Sequence, residues 1–289
     1  MVAILGGLGA ALSWAIATLA SSRSSRMIGP MSVLGWVMAV GLVAAIGPAL
    51  LASPMHLEPL QLAGLFALGL CHNTGLLLTY AALSIGRVSI VSPIVATEGA
   101  LAALLAVILG ETLAIPMLIM LGVIAVGVVL AAYERKPGEG QVVQSAAAAA
   151  NARRAAILAV AAAFAFSVGL VLSGKLGAAG IPPAWVIVAT RLVGILLIAL
   201  PLIVTRRFRL SRAALPLVVL AGLLEALGSG IYVIAATADI AVAAVLSSQT
   251  AAIAAVGGFL LFHERIQRVQ VVGIVLIAAG VTILSAVSA

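Results

Sequence analysis

Adding 153 to a residue number in the first half of this chain gives its counterpart in the second half. Ile28-Gly29-Pro30 meets Ile181-Pro182-Pro183, Gly41 meets Gly194, and Pro48 meets Pro201. Gly69 and Gly75 meet Gly222 and Gly228, Glu111 meets Glu264, and Gly127-Val128 meets Gly280-Val281. The offset runs without a gap over most of each half, so the chain is a duplication. Whatever one half folds into, the other must fold into as well, and the two must pack together.

The solvent of both halves follows from composition. Apolar residues make up 64% of the chain and charged residues 8%, against about a quarter charged in soluble domains. The mean hydropathy is +1.33. Too little charge is present to keep a surface of this size wet, so lipid must cover it. The 29 glycines suit helices that approach closely in a bilayer. A net charge of +7 could suggest nucleic acid, but the basic residues are scattered over short interhelical segments with no domain to present them, which excludes that partner. Cys71 is the single cysteine, so no internal disulfide can form.

Ten apolar stretches have about the 20 residues that a spanning helix needs: 2–20, 31–52, 60–84, 88–109, 112–133, 155–173, 184–205, 213–236, 240–262 and 266–287. No strand periodicity competes with them, which excludes a β-barrel. The first stretch lacks the basic flank of a secretory signal and aligns with Ala155 to Ser173, so it reads as part of the repeat. The expected organisation is a first five-helix repeat at 1–133, a linker at 134–154, and a second five-helix repeat at 155–289. The linker is polar at its ends with an alanine run, Ala146 to Ala150, that reads as a surface helix or a mobile connector.

Five spans per repeat is an odd number, so the second copy enters from the opposite side and the repeats are inverted. The charges test this independently. Loops 1–2, 3–4, 5–6, 7–8 and 9–10 fall on one face and carry Arg23, Arg26, Arg87, Arg135, Lys136, Arg153, Arg154, Arg206, Arg207, Arg209, Arg212, Arg265 and Arg268. Among the basic residues, Lys175 alone falls on the other face. Equivalent loops have opposite character, with 53–59 poor in basic residues and 206–212 rich in them. The positive-inside rule makes the basic face cytoplasmic and puts both termini outside.

A charge at the bilayer centre costs about 2.5–3.5 kcal/mol even on lenient insertion scales. Glu98, Arg191 and Glu225 nevertheless fall near the centres of the fourth, seventh and eighth spans, and His72 falls in the third as the counterpart of Glu225. One reading is a buried site for a polar solute with a carboxylate that trades a proton. The other is an ion pair locking two helices, Arg191 with Glu225 or with Glu98. Helix spacing puts Glu225, Gly228, Ser229 and Tyr232 on one face. His72 with Thr79 and Asn73 with Tyr80 form neighbouring rows, and Gln249 sits among Ser247, Ser248 and Thr250. These faces must avoid lipid and are expected to line a cavity, the alternative being interhelical hydrogen bonds. Pro93 has no match at Leu246 and is expected to kink the fourth span beside Glu98.

Trp185 and Tyr133 lie near span ends and read as interface anchors, whereas Trp14 lies deeper and could stack on a ligand. Glu111 and Glu264 precede the fifth and tenth spans, where a carboxylate complements the helix dipole. The fifth and tenth spans carry glycines and no buried charge, as packing helices or dimer contacts would.

Each half closes on a helix, a turn with glutamate, and a glycine-bearing helix: Pro93, Leu109-Gly110-Glu111-Thr112, Gly122 and Gly127 in the first, Phe262-His263-Glu264-Arg265, Gly273 and Gly280 in the second. With Thr79-Tyr80-Ala81-Ala82-Leu83 and Tyr232-Val233-Ile234-Ala235-Ala236, this resembles the EamA-type transporters of the drug/metabolite transporter superfamily over nearly the whole chain. The resemblance implies a ten-helix secondary transporter with spans 1–4 and 6–9 around a central cavity and 5 and 10 peripheral. It also implies export of amino acids, other metabolites or drugs, often against protons. Two departures stand out. The ninth span lacks the proline of the fourth, and many family members are drawn with cytoplasmic termini, opposite to the charge count here.

The expectation is therefore an integral membrane protein of a bacterial inner membrane that exports small metabolites such as amino acids by alternating access, coupled to protons. Glu98 and Glu225 are the proton-carrier candidates and His72 a relay. Arg191, Asn73, Tyr80, Ser229, Tyr232, Gln249 and Trp14 are further candidates for the site. A multidrug or organic-cation exporter and an uncoupled facilitator are the alternatives. No enzyme motif, metal cluster or cofactor site is visible in the sequence. The expected partners are a small-molecule substrate, protons and membrane lipid, with the chain a monomer or homodimer.

Overall fold

The computed structural model describes residues 1–52, 57–98, 101, 105, 108, 119–120, 122–124, 126–127, 130, 146–238, 247, 249–262 and 268–287. All regular structure among them is helical. The long elements are α1 (Val2–Ile28), α2 (Pro30–Leu51), α3 (Pro59–Ile85), α4 (Val88–Val95), α5 (Ala146–Ala178), α6 (Pro183–Gly194), α7 (Leu200–Val204), α8 (Leu215–Ala238), α9 (Thr250–Phe262) and α10 (Arg268–Val287). A π-helical turn, Ile195–Ala199, joins α6 to α7, so these three make up the seventh span. Among the described residues, six helices are long and apolar enough to cross a membrane, and shorter apolar helices accompany them. Glu111, Glu264 and Tyr133 lie outside the described residues.

Helix boundaries follow local chemistry. Pro30, Pro59 and Pro183 open α2, α3 and α6, where a missing N–H costs nothing. At Glu58 a reciprocal pairing with Gln61 caps α3. Its other end is capped from outside: Arg26 Nε donates to Leu83 O at 3.1 Å and Nη2 to Gly86 O at 2.6 Å, placing a cation on the carbonyls that a helix C-terminus leaves unpaired. Ala146–Ala150 forms the first turns of α5 and is continuous with the sixth span. The fourth span is interrupted just after Pro93, with helix kept through the proline itself. α4 ends at Val95, Ala96 and Thr97 form a turn, and Glu98 is helical again.

Packing between the halves obeys the 153 offset. α1 lies along α8 and α3 along α5, which is one contact repeated by exchanging the copies. α2 meets the seventh span and α4 meets α9, so these pairs sit across the exchange axis from their own counterparts. The exchange extends to single residues. A Cβ on Gly69 would strike Val193, and one on Gly222 would strike Val40; a Cβ on Gly127 would strike Ile277, and one on Gly280 would strike Ile124. Each second contact is the first with 153 added and the copies swapped. Small residues at these crossings let backbones touch, which drives helix association where lipid offers no hydrophobic gain. The fold is thus a duplicated, pseudo-twofold, all-α membrane bundle with inverted repeats.

The core is unevenly distributed. Its larger cluster takes Ile28, Leu34, Leu83, Val88, Ala155 and Ala214 at the ends that carry the basic loops, and runs on to mid-span residues such as Ala15, Met38 and Ile277. The smaller one, Leu65, Leu68, Leu176 and Ile181, lies at the opposite ends. The bundle is therefore closed most tightly at the basic-loop end.

Candidate functional site

Arg191, in the last turn of α6, is 1% exposed although it is a full charge. Its Nη2 donates to Glu225 Oε2 of α8, which is 7% exposed. The two formal charges cancel, which is the condition for keeping either of them out of water. Its Nη1 points to Met38 Sδ of α2 at 3.6 Å and to His72 Nε2 of α3 at 3.3 Å. Its Nε has no partner and lies against Gly41, where a Cβ would stand 3.0 Å away. Glycine at that crossing is what gives the guanidinium room.

His72 completes the group, with Nε2 3.7 Å from Glu225 Oε1. A neutral ring carrying its proton on Nδ1 can accept from Arg191 through Nε2. With Nε2 protonated, the ring instead becomes a cation beside the Glu225 carboxylate. The same nitrogen thus has two partners of opposite character within a small movement. His72 is also the accessible member, its side chain 25% exposed. That exposure is to the interior, because the exposed side chains of α3 (Phe66, Leu70 and Thr74) lie on the opposite face; His72 is two residues, about 200° round the helix, from both Leu70 and Thr74.

The same reasoning places other partly exposed side chains on an interior space. Trp14 faces away from the exposed row of Leu5, Leu8 and Leu12 on α1. Ser229 and Tyr232 face away from Leu220, Leu223 and Leu227 on α8. Trp14 Nε1 donates to the Glu225 main-chain oxygen at 3.3 Å, and its ring centroid is 5.9 Å from that of Tyr232. Gly228 permits this, since a Cβ there would stand 2.7 Å from Trp14 Nε1. Phe166 of α5 meets the His72 ring edge-on at 5.9 Å.

The remaining expected residues are placed elsewhere or are engaged in packing. Asn73 Nδ2 donates to Gly69 O and to Thr190 O, both at 2.8 Å, so it ties α3 to α6 beside the ion pair. Tyr80 is buried in the larger core. Gln249 Nε2 donates to Thr282 Oγ1 of α10 at 2.9 Å. Ser229 Oγ returns to Glu225 O of its own helix at 2.9 Å. Glu98 does not join Arg191 or His72; among the described residues it makes no ion pair or side-chain hydrogen bond. Of the two carboxylates open to Arg191, the structure selects Glu225. Met38, Gly41, Thr190 and Phe166 escaped the sequence reading. Met38 could have been found as the counterpart of Arg191 under the offset.

A bundle of two inverted repeats with ionisable side chains at their junction is the architecture of a membrane transporter. The chain belongs to the EamA-like transporter family, whose model matches residues 1–133 and again 153–286. It is thus a member of the drug/metabolite transporter superfamily, in which the protein moves a solute rather than transforming it. Eighteen solved chains match the fold. One, described as "Crystal structure of protein", is 18% identical over 97% of this chain and 95% of its own, with a TM-score of 0.62. At that identity the likeness concerns the fold alone. A search of curated proteins returned no match.

Proposed function

We propose that this chain exports small zwitterionic metabolites, amino acids first, in exchange for protons by alternating access. The observation that carries the reading is the buried Arg191–Glu225 pair at the junction of the repeats, with the accessible edge of His72 beside it. A zwitterion brings one charge for each partner: its carboxylate replaces Glu225 at the guanidinium, and its ammonium meets the released carboxylate. No buried charge is then left unpaired. A proton on Glu225 competes with the ammonium for the same oxygens, which is what exchange requires. His72 hands that proton to and from the interior space, and Glu98, beyond the Pro93 break, is a second carrier. The basic loops face the cytoplasm of a bacterial inner membrane in this reading.

An organic-cation exporter is the second reading, favoured by the Trp14–Tyr232 ring pair beside Glu225. Liposomes containing the purified protein and a pH-sensitive dye separate these readings. Amino acids should move protons, and the movement should vanish in folded Glu225→Gln protein. Quaternary ammonium compounds acting alone would establish the cation reading. Labelled exchange without proton movement would mean an uncoupled facilitator. Proton-driven transport left intact in both Glu98→Gln and Glu225→Gln would overturn the coupling.

A further inference from the structure

At the basic-loop end, α1 carries a run of hydroxyls, some of which packing does not use. Ser21, Ser22, Ser24 and Ser25 are 0%, 0%, 0% and 3% exposed. Ser24 Oγ donates back to Ala20 O and Ser21 O of its own helix. The hydroxyls of Ser22 and Ser25 have no hydrogen-bond partner, while that of Ser21 is paired with the Tyr80 phenol of α3. On α4, at the same end of the bundle, Ser92 is buried and its hydroxyl is also without a partner. Each such group costs about 1–3 kcal/mol relative to a bonded one. Alanine would fill these positions at no such cost, and this chain uses alanine freely elsewhere.

The repeat sharpens the point. Under the offset, Ser21, Ser22 and Ser25 correspond to Gly174, Lys175 and Ala178, while Tyr80 and Ser92 correspond to Val233 and Val245. The hydroxyls of the basic-loop end have no hydroxyl counterparts at the other end. They are therefore not a requirement of the repeat fold, and they sit where the bundle is most tightly closed.

We infer that Ser22, Ser25 and Ser92 line the basic-loop half of the substrate route, closed in this conformation and wetted when α1 and α4 part. They form a hydrogen-bonding surface for a polar solute before it reaches Arg191 and Glu225. Aliphatic hydroxyls suit a zwitterionic or neutral polar solute better than a lipophilic cation. The inference rests on the alternating-access reading above.

Single cysteines at Ser22, Ser25 and Ser92, each in a Cys71→Ser background, test it with a membrane-impermeant maleimide applied from either side of sealed vesicles. Ser24→Cys serves as a buried control and Val186→Cys as a reporter of the opposite end. Labelling at positions 22, 25 and 92 from the basic-loop side alone is expected. A mixture of the common amino acids should change its rate severalfold, in the sense opposite to position 186. Position 24 should stay unreactive. If position 186 responds to the mixture while 22, 25 and 92 never label, the hydroxyl route is overturned and alternating access stands. If position 186 is also indifferent in folded protein, and the vesicles exchange no amino acid, the transport reading itself fails.

Discussion

Arg191 directs its guanidinium at the sulfur of Met38, 3.6 Å away, and the two residues occupy the same position in the two repeats. His72 and Glu225 repeat the relationship at 3.7 Å. The charged centre thus lies on the axis that exchanges the halves, where a residue meets its own counterpart. That explains how one group can touch α2, α3, α6 and α8 at once.

Removing one member of this centre should be costly. Arg191→Met or Glu225→Leu alone leaves a buried charge without its opposite and should lower stability by about 3–5 kcal/mol. Replacing both, as Arg191→Met with Glu225→Leu, should recover most of that loss while abolishing transport. Thermal unfolding in detergent, followed by monodisperse elution, reads the difference. Additive losses in the double variant would show that the pair is not energetically coupled.

The two axis glycines should tolerate alanine unequally. On Gly41 a methyl would press on Arg191 Nε and Cδ at 3.0 and 3.2 Å. At Gly194 it would meet Met38 Cγ at 2.5 Å and Asn73 Cγ at 2.9 Å, and drive into the Asn73 amide oxygen. Overpacking of this kind costs about 1–3 kcal/mol, so Gly194→Ala should express poorly. Gly41→Ala should fold but transport less, because its methyl moves the guanidinium. Expression level and initial rate in proteoliposomes check both.

Trp14→Phe keeps a ring against Tyr232 and removes the donor to Glu225 O. The expected loss is about 1 kcal/mol, the net worth of one hydrogen bond, with transport retained. Gly228→Ala displaces the same indole and should impair transport as well as stability. Equal effects of the two substitutions on both readouts would remove the indole from the site.

Arg206 has φ 55°, in the left-handed region. It closes α7 with the two bonds of a Schellman motif, Arg206 N to Ile203 O at 3.0 Å and Arg207 N to Leu202 O at 2.8 Å. Glycine is the residue that adopts this conformation without strain. Arg206→Gly should therefore raise the melting temperature, by an amount worth up to about 1 kcal/mol. Arg207, Arg209 and Arg212 keep the loop basic, so orientation should not change. A lowered melting temperature would mean that the arginine side chain makes up for the strain.

Much of the fold could be read from the residues, since the offset, the apolar lengths and the prolines are all local or periodic signals. Which helix face turns inward was harder to read. Helices 2 and 9 are apolar on every side, and a ring of alanine, valine and leucine gives no direction. Polar residues carry two readings for a related reason: the amide nitrogens of Asn73 and Gln249 donate to neighbouring helices, and a spacing on one helix does not separate such a contact from a place in the site. The sequence left Arg191 two carboxylates of equal standing. Only the crossing of α6 with α8 brings Glu225 to it, and crossings depend on contacts far apart in the chain. The π-helical turn at Ile195–Ala199 had no signal either, because Pro48, the counterpart of Pro201, lies in α2 without one.

The exchange axis has a consequence for how such a chain could arise. A single five-helix unit pairing with an antiparallel copy of itself would meet itself on that axis. An arginine there would face an arginine, and a glutamate a glutamate, so two Arg–Glu pairs would have to be buried in place of one. Joining the copies in one polypeptide lifts that restriction, since either member can then change alone. The histidine opposite a glutamate and the methionine opposite an arginine are arrangements open to a fused gene and closed to a homodimer.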